Sequence, residues 1–323
     1  MADSAWNTVD LQWAPNSSPI PVSQLIRPTR DSKSEQEMIA KMWVMCAIEM
    51  QDNLRAATCS KPHFERYRAL LATEYERFNQ PDYPQVPNSR ELVAMSSQTR
   101  LEAITELRDS VKDTYMWPVI EGPYRVFDNV VDIVEGRVKL VKVLLKDGLL
   151  ASFYDWANGL SEVEPLFNLM GRTNPRLRIL EIGAGTGGTT ARALEGLKSE
   201  SGKVLYSNYV FTDISPLFFD AGKKRFQAYE NIEYCALDIS KDPLEQGFEA
   251  GTYDLIIASN GMLPGWWLGG EDGRADSPCI PPAEWDRRLQ QAGFEGLHAV
   301  GLDSEPPFYY NANMLARPAV IAP

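Results

Sequence analysis

A glycine-rich turn carries the pattern in this sequence that is most directly linked to chemistry. The turn follows an apolar run and leads into a helix-compatible segment; it reads Leu180-Glu181-Ile182-Gly183-Ala184-Gly185-Thr186-Gly187-Gly188-Thr189-Thr190. Glycines at alternate positions let the backbone bend sharply and approach a ligand closely, where a Cβ would obstruct it. The turn therefore predicts a nucleotide-type ligand.

The acid at the start of this turn, Glu181, separates two ligand classes. A dinucleotide fold aims helix-terminal N–H groups at a pyrophosphate, and a carboxylate at the strand end would repel that anion. A ligand with a cationic amino acid end and no phosphate suits the turn better. S-adenosyl-L-methionine is such a ligand, and we expect it as the cofactor.

Two further acids stand where predicted strands end. Asp213 ends the second strand, where a carboxylate can accept both ribose hydroxyls, and Asp238 ends the third, where an acid can receive the exocyclic amine of adenine. A single aspartate after a strand is more often a helix cap or a turn former. The glycine-rich turn and the two aspartates, each at the end of its predicted strand, are together stronger evidence for a cofactor site than any one of them alone. The predicted cofactor site consists of Glu181, Gly183, Ala184, Gly185, Gly187, Asp213, Ile214, Asp238, Ile239 and Asn260.

The elements that must position these residues alternate between strand and helix. Strands are predicted at 177–181, 209–213, 232–237 and 253–259, with helices at 189–198 and 218–229 between them. Such alternation favours an α/β fold with a parallel, doubly wound sheet, whose ligands bind beyond the carboxyl ends of the strands. A helix at 283–292 and two late strands, 294–302 and 309–316, are expected to follow, the strands as an antiparallel hairpin.

The first half of the chain has a different sequence pattern, which predicts a tail and then helices. Four prolines among serines and asparagines predict a linker or loosely docked tail over residues 1–33. A mainly helical lobe is predicted over 34–170, and the methyl-donor-binding core over 171–323. The predicted helices of the lobe begin at 34 and follow at about 61–79, 90–112 and 138–158. The methionines of the first helix favour core packing over a lipophilic cavity.

Composition and charge limit the classes of ligand and the location that we expect for the protein. The 323 residues carry a formal net charge of −12, which argues against nucleic acid as a ligand. No run approaches the length of a membrane span, and the start lacks a signal-peptide pattern, so we expect a cytoplasmic protein. The four scattered cysteines favour reduced thiols and no metal site. Only two histidines are present, His63 and His298.

The motifs together resemble the C-methyltransferase domain of fungal highly reducing polyketide synthases. The similarity covers about residues 34–318 and includes the glycine-rich turn, Phe211-Thr212-Asp213-Ile214-Ser215, Leu237-Asp238-Ile239-Ser240, Gln246-Gly247-Phe248, Tyr253–Asn260, Leu263–Gly269 and Asp303–Pro307. The resemblance implies a class I S-adenosylmethionine-dependent methyltransferase that methylates the α-carbon of a β-ketoacyl chain tethered to an acyl carrier protein. Other polyketide synthase domains, or a small-molecule polyketide, are further implied partners.

The resemblance also assigns roles. Glu181, Gly183, Gly185 and Gly187 would hold the amino acid end of the cofactor, with Asp213 at the ribose and Asp238 at the adenine. Tyr154, in a stretch similar to the family's helical lobe, would face the pocket and is the candidate catalytic residue. A half-buried aromatic with its hydroxyl in water is an equally good interpretation of Tyr154.

The sequence departs from the family at Asn260. There the family continues into a loop with a histidine, a long helix and a strand that ends near a glutamate, whereas here Gly261 to Trp267 follow directly. The predicted sheet is therefore one strand short, and we expect the last strands to close up against the fourth, the alternative being a gap or open edge. Three functions stay open: a C-methyltransferase, a catalytically impaired pseudo-methyltransferase, and a scaffold repurposed as a polyketide cyclase or isomerase.

Overall fold

Helices dominate the first half of the chain and parallel strands the second. The computed structural model describes residues 20–81, 83–258 and 280–319. The helices are α1 Val22–Leu25, α2 Lys33–Asn53, α3 Pro62–Phe78, α4 Ser89–Ala94, α5 Ser97–Ser110, α6 Trp117–Asp128, α7 Val130–Val134, α8 Leu140–Leu145, α9 Leu149–Asn158, α10 Glu164–Thr173, α11 Gly188–Gly196, α12 Phe219–Arg225 and α13 Pro282–Gln291. The strands are β1 Arg27–Pro28, β2 Ser161–Glu162, β3 Arg178–Ile182, β4 Asn208–Asp213, β5 Ile232–Ala236, β6 Leu255–Ala258, β7 Phe294–Leu302 and β8 Ala312–Pro318.

The lobe formed by α2–α9 is built around the apolar residues of α2. Met42, Met45 and Met50 are buried there and belong to the core that α3–α7 complete. The methionines of this helix therefore pack in the core of the lobe, as the sequence predicts.

Two long predicted helices are each interrupted. The segment predicted at 90–112 breaks into α4 and α5, because the Ser96 hydroxyl accepts a hydrogen bond from the Thr99 N–H at 3.1 Å and starts a new helix. The segment predicted at 138–158 breaks into α8 and α9, because Asp147 and Gly148 adopt left-handed backbone angles between them (φ 57° and 71°). Local hydrogen bonds and turn conformations thus override the continuous apolar pattern.

The central sheet contains four parallel strands in the order β5-β4-β3-β6. The sequence predicts all four strands, with ends that differ by one or two residues. Ile179 of β3 lies between Tyr209 of β4 and Leu255 of β6, and its side chain packs with those of α10 and α11 in one buried layer. The order places β3, which precedes the glycine-rich turn, inside the sheet, with β4 and β6 on its two sides.

The opposite face of the sheet carries a thinner buried layer. Leu180, Val210 and Leu237 form its small buried cluster. Ile256 of β6 lies in register with Leu180, yet 52 % of its surface is exposed. In the described part of the chain, this face is therefore well covered over β3 and β4 and poorly covered over β6.

The C-terminal hairpin forms as predicted but does not close the sheet. β7 and β8 pair antiparallel with each other, and within residues 20–81, 83–258 and 280–319 strand β6 pairs only with β3. The predicted closure of the last strands against the fourth is therefore wrong for these residues, and the alternative, an open edge, is observed. The hairpin is held elsewhere: Gly301 packs against Ile26, and the Asn311 side-chain amide donates to the Ala157 carbonyl at 2.6 Å.

Residues 20–33 differ from the predicted tail. Leu25 and Ile26 are 6 % and 3 % exposed and join the core under the sheet. β1 pairs antiparallel with β2, and the Thr29 N–H donates to the Leu160 carbonyl at 3.0 Å. The prolines that suggested a linker are compatible with this arrangement, because a two-residue edge ribbon needs few backbone donors.

Candidate functional site

The glycine-rich turn joins the carboxyl end of β3 to α11 and leaves one side open. Gly183 and Gly185 adopt positive φ angles of 69° and 54°, which L side chains rarely tolerate. A Cβ placed on Gly183 would meet no atom of the described residues within 4 Å, so none of them fills the space in front of this glycine. The Ala184 N–H is used inside the protein, because it donates to the Thr212 carbonyl of β4 at 2.8 Å.

The later glycines of the turn serve packing. A Cβ on Gly187 would lie 2.6 Å from the Phe226 ring, and one on Gly188 would lie 2.2 Å from the Asn158 amide nitrogen. The sequence groups Gly187 with the ligand-facing glycines. The structure gives it a second reason to be glycine, close contact with the aromatic core.

Glu181 lies fully buried beneath the turn. Its Oε2 accepts two hydrogen bonds, from Thr190 Oγ1 at 2.6 Å and from the Tyr209 hydroxyl at 2.6 Å. Its Oε1 is buried without a hydrogen-bond partner among the described residues. Burial raises the pKa of Glu181 to about 7, and the two hydrogen bonds oppose that rise. An orphaned carboxylate oxygen of this kind fits the ammonium group of an amino acid ligand.

Asp213, at the end of β4, is tied to the glycine-rich turn. Its Oδ2 accepts a hydrogen bond from the Gly185 N–H at 3.0 Å, and its Oδ1 accepts one from the Ser215 N–H at 2.8 Å. Asp213 is buried, with 3 % of the residue exposed. Two carboxylate oxygens offer about four acceptor positions, so Asp213 retains capacity for ligand hydroxyls while it orients the turn.

Asp238, beyond the end of β5, is fixed by its neighbours. Its Oδ1 accepts hydrogen bonds from the Ser240 hydroxyl at 2.6 Å and the Ser240 N–H at 3.1 Å, and these bonds lower the pKa of Asp238. The Gln246 side chain holds the Asp238 backbone from both sides, at 2.9 Å to its N–H and 3.0 Å to its carbonyl. Gln246 is a positioning residue that the sequence does not reveal as such.

Large aliphatic side chains stand exposed at this edge of the sheet. Ile214 and Ile239 follow β4 and β5 and are 67 % and 70 % exposed. The two strand ends are neighbours, since the Leu237 N–H donates to the Asp213 carbonyl at 3.1 Å. Leu217 and Leu244, which the prediction omits, are 88 % and 56 % exposed in the turns that follow. Exposed apolar groups around a polar site are typical of a binding surface for a flat, partly apolar ligand.

Helix α9 of the helical lobe reaches the glycine-rich turn. Asn158 accepts a hydrogen bond from the Thr189 hydroxyl at 3.2 Å. Arg225 donates a hydrogen bond to the Thr186 carbonyl at 2.9 Å and forms an ion pair with Asp155 of α9 at 3.7 Å. Tyr154 lies one helical turn before Asn158 and is half-buried, with its ring against that of Phe153. This places Tyr154 on the helix that borders the turn.

One predicted site residue lies outside the described residues, and the two histidines, which are not predicted for the site, lie away from it. Asn260 falls outside them, and so does the whole segment in which the sequence departs from the family. His63 belongs to α3 of the helical lobe. His298, on β7, contacts Glu295 at 3.0 Å with 39 % of its side chain exposed. Neither histidine lies on β3, β4 or β5.

The described residues contain no group of histidine, cysteine, aspartate or glutamate side chains arranged to hold a metal ion. None of the described helices combines the length and apolar character that a membrane crossing requires. Cys46, Cys59 and Cys235 are free thiols, and burial raises the pKa of the Cys46 thiol most strongly. Cys279 lies outside the described residues.

Comparison with known proteins gives concordant results. A methyltransferase domain family matches residues 180–263, from the end of β3 across the turn and the later strands. The methyltransferase calH of Penicillium decumbens is 66 % identical, over 98 % of this chain and 98 % of its own length. The squalestatin hexaketide synthase clz14 of Cochliobolus lunatus is 41 % identical over 97 % of this chain, which spans only 14 % of that synthase.

The fold of this chain is also similar to that of a solved methyltransferase structure. The crystal structure of the trans-methyltransferase CalH in complex with SAH superposes with a TM-score of 0.89 at 68 % identity, covering 96 % of this chain and 98 % of that one. The sequence alignment with the Penicillium protein spans 358 positions, 35 more than the 323 residues of this chain, so that protein has residues without a counterpart here. The chain belongs to the class I methyltransferase family, within the group that contains the C-methyltransferase domains of fungal polyketide synthases and their stand-alone relatives.

Proposed function

We propose that this chain binds S-adenosyl-L-methionine at the carboxyl ends of β3, β4 and β5. The observation that carries the proposal is that, among the described residues, Oε1 of Glu181 has no partner and nothing fills the space in front of Gly183 in the turn above it. A buried acceptor without a partner costs about 1–3 kcal/mol, which a ligand ammonium removes. That the similar CalH structure holds SAH supports the same assignment.

The residues present fit the parts of this cofactor. Glu181 would hold its amino group, Asp213 its ribose hydroxyls and Asp238 the adenine amine, with Ile214 and Ile239 beside the ring. Gly183, Ala184, Gly185, Gly187 and Asn260 complete the proposed set. When bound, S-adenosylmethionine supplies a methyl group that reacts as an electrophile.

The proposed acceptor is the α-carbon of a β-ketoacyl thioester on an acyl carrier protein, as in the polyketide synthase domains to which the chain is related. The new bond would join the methyl group to that carbon as the methyl–sulfur bond breaks and S-adenosylhomocysteine leaves, and the proton of the carbon would pass to a base. Tyr154, on the helix that borders the glycine-rich turn, is the proposed pocket residue on the lobe side. No histidine of the described residues lies on the strands that form the site.

A second candidate function is cofactor binding without methyl transfer. Two observations favour it: among the described residues β6 pairs on one side only, and the alignment contains positions for which this chain has no residue. The family's histidine and glutamate belong, by the resemblance, to the unit that this sequence lacks. Without that unit, the chain would lack the base that the resemblance assigns to the family's carbon acid.

Two measurements separate the candidates. Isothermal titration of the purified chain with S-adenosylmethionine should show saturable binding, and no binding would overturn the cofactor assignment. Incubation of the loaded protein with a β-ketoacyl pantetheine thioester, followed by mass spectrometry, tests transfer. A mass gain of one CH₂ unit supports the C-methyltransferase, and binding without that gain supports the second candidate.

A further inference from the structure

Helix α8 is apolar in sequence yet has no buried residue. It contains five aliphatic residues among its six, and every one of them is at least partly exposed. Leu140, Val141 and Leu145 are 41 %, 45 % and 58 % exposed. Contiguous exposed apolar groups of this kind mark an interaction surface more often than an ordinary helix face.

The same helix is locally basic in an acidic protein. Residues 136–146 contain four basic residues and no acidic one, whereas the whole chain has a net charge of −12. Arg137 is engaged by Asp132 and Glu135. Lys139, Lys142 and Lys146 are exposed and form no ion pair with any other described residue. Their charges are therefore available to a partner.

The position of α8 links this surface to the proposed cofactor site. Arg125 of α6 fixes the end of α8 through the Lys146 carbonyl, at 2.7 Å, and Asp147, at 2.9 Å. The chain then turns into α9, whose far end contacts the glycine-rich turn through Asn158. The ten residues of α9 span about 15 Å, a distance that a flexible prosthetic arm can bridge.

We propose that the α8 patch, formed by Lys139, Leu140, Val141, Lys142, Leu145 and Lys146, docks the acidic carrier protein that presents the thioester substrate. This inference rests on the proposed function, because it names the partner from which that site would receive its acceptor. The similar CalH is a trans-methyltransferase, which favours a substrate carrier on a separate polypeptide. A carrier with acidic helices and a phosphate-linked arm matches three free lysines around an aliphatic centre.

Other occupants fit the patch less well. A symmetric contact with a second copy would place lysines opposite lysines. A membrane surface generally requires a longer amphipathic helix or a second anchoring signal, and α8 has six residues. The acidic carrier satisfies both the charge and the small apolar area.

The test compares the wild-type chain with a triple variant, Lys139→Glu/Lys142→Glu/Lys146→Glu. The control, Lys41→Glu/Lys61→Glu/Lys112→Glu, makes the same change in net charge on exposed lysines elsewhere in the chain. The probe is an excised acyl carrier domain of a fungal polyketide synthase, charged with an acetoacetyl-pantetheine arm. Binding is followed by fluorescence anisotropy, and transfer is measured on the carrier and on the free pantetheine thioester.

We expect the α8 variant to weaken carrier binding, and to raise the KM for the carrier-bound thioester, about tenfold or more, while the control changes them less than about twofold. S-adenosylmethionine affinity and turnover of the free thioester should be unchanged in both. Equal carrier binding by wild type and α8 variant would overturn the inference, as would stronger binding of wild type to anionic vesicles than to the carrier. If wild type methylates neither substrate, the proposed transfer fails, and the binding comparison still decides the docking surface.

Discussion

At the scale of single residues, the buried carboxyl of Glu181 should make the proposed cofactor binding sensitive to pH. Its pKa is raised to about 7 by burial, and an ammonium ligand requires the ionised form. Below this pKa the carboxyl must lose a proton on binding, which costs about 1.4 kcal/mol per pH unit. We therefore expect the affinity for S-adenosylmethionine to rise from pH 5.5 to about 7 and then to level off, as measured by titration calorimetry.

The Glu181→Gln variant should lose this dependence and, at pH 7.5, bind about 10- to 100-fold more weakly, since a hydrogen bond to a charged group contributes about 1.5–3 kcal/mol. Glu233→Gln, on an exposed position of β5, removes the same charge and is the matched control. Retention of wild-type affinity by Glu181→Gln would show that this carboxyl does not hold the ligand.

Two glycines of the turn should respond differently to alanine. In Gly183→Ala the new Cβ meets no described residue, so we expect the loss of stability to be limited to the cost of positive φ, about 1–2 kcal/mol, while ligand affinity falls strongly. In Gly187→Ala the Cβ meets the Phe226 ring at 2.6 Å, so the folding stability falls further. Urea unfolding and ligand titration on both variants measure this difference. Equal losses of stability in the two variants would contradict the assignment of Gly183 to the ligand and of Gly187 to packing.

The sequence points to Glu181, Asp213 and Asp238 as site candidates because each follows an apolar run, and the runs are predicted to end at the same edge of a parallel sheet. It does not identify Tyr209 as a partner of Glu181, since the two residues are 28 positions apart and meet only once β3 and β4 pair. The packing role of Gly187 is hidden for the same reason: Phe226 reaches it through the tertiary fold.

At the scale of secondary-structure elements, the short segment α1 and β1 should contribute to folding stability. Ile26 is 3 % exposed and packs against Gly301 of β7. Ile26→Ala should therefore lower the free energy of unfolding by about 2–5 kcal/mol. Gln24→Ala, on an exposed position of α1, should change it little. Urea denaturation followed by circular dichroism provides the measurement, and equal unfolding midpoints would mean that this segment is dispensable.

Periodicity predicts the elements well where a single pattern governs them. The strands of the sheet and the antiparallel hairpin are predicted close to their observed bounds. Element breaks are harder to predict, because a serine cap at residue 96 and a left-handed Asp147–Gly148 pair are set by single hydrogen bonds and backbone angles. The burial of residues 20–33 depends on contacts with residues more than 100 positions later, which no local pattern contains.

At the scale of the whole molecule, the outer edge of strand β6 should promote self-association of the chain. Ile256 is 52 % exposed on a strand whose second edge is unpaired in the described residues. Such edges pair readily with other strands. We expect concentration-dependent association in sedimentation velocity runs, reduced by Ile256→Lys. Leu101→Lys, at a similarly exposed apolar position of α5, should leave association unchanged. A monomer at all concentrations would show that this edge is protected.

The β1–β2 ribbon has a consequence for how the molecule is assembled. The chain leaves the sheet-bearing core at Thr29 and returns to it at Leu160, and these two residues share a backbone hydrogen bond. The backbone over residues 30–159 therefore leaves and re-enters the core at neighbouring points, which is the connectivity of an insertion. A short turn that joins residues 29 and 160 would bypass the insertion without stretching the backbone of the core. The helical lobe is thus separable in topology from the fold on which it is mounted, although it supplies one wall of the proposed site.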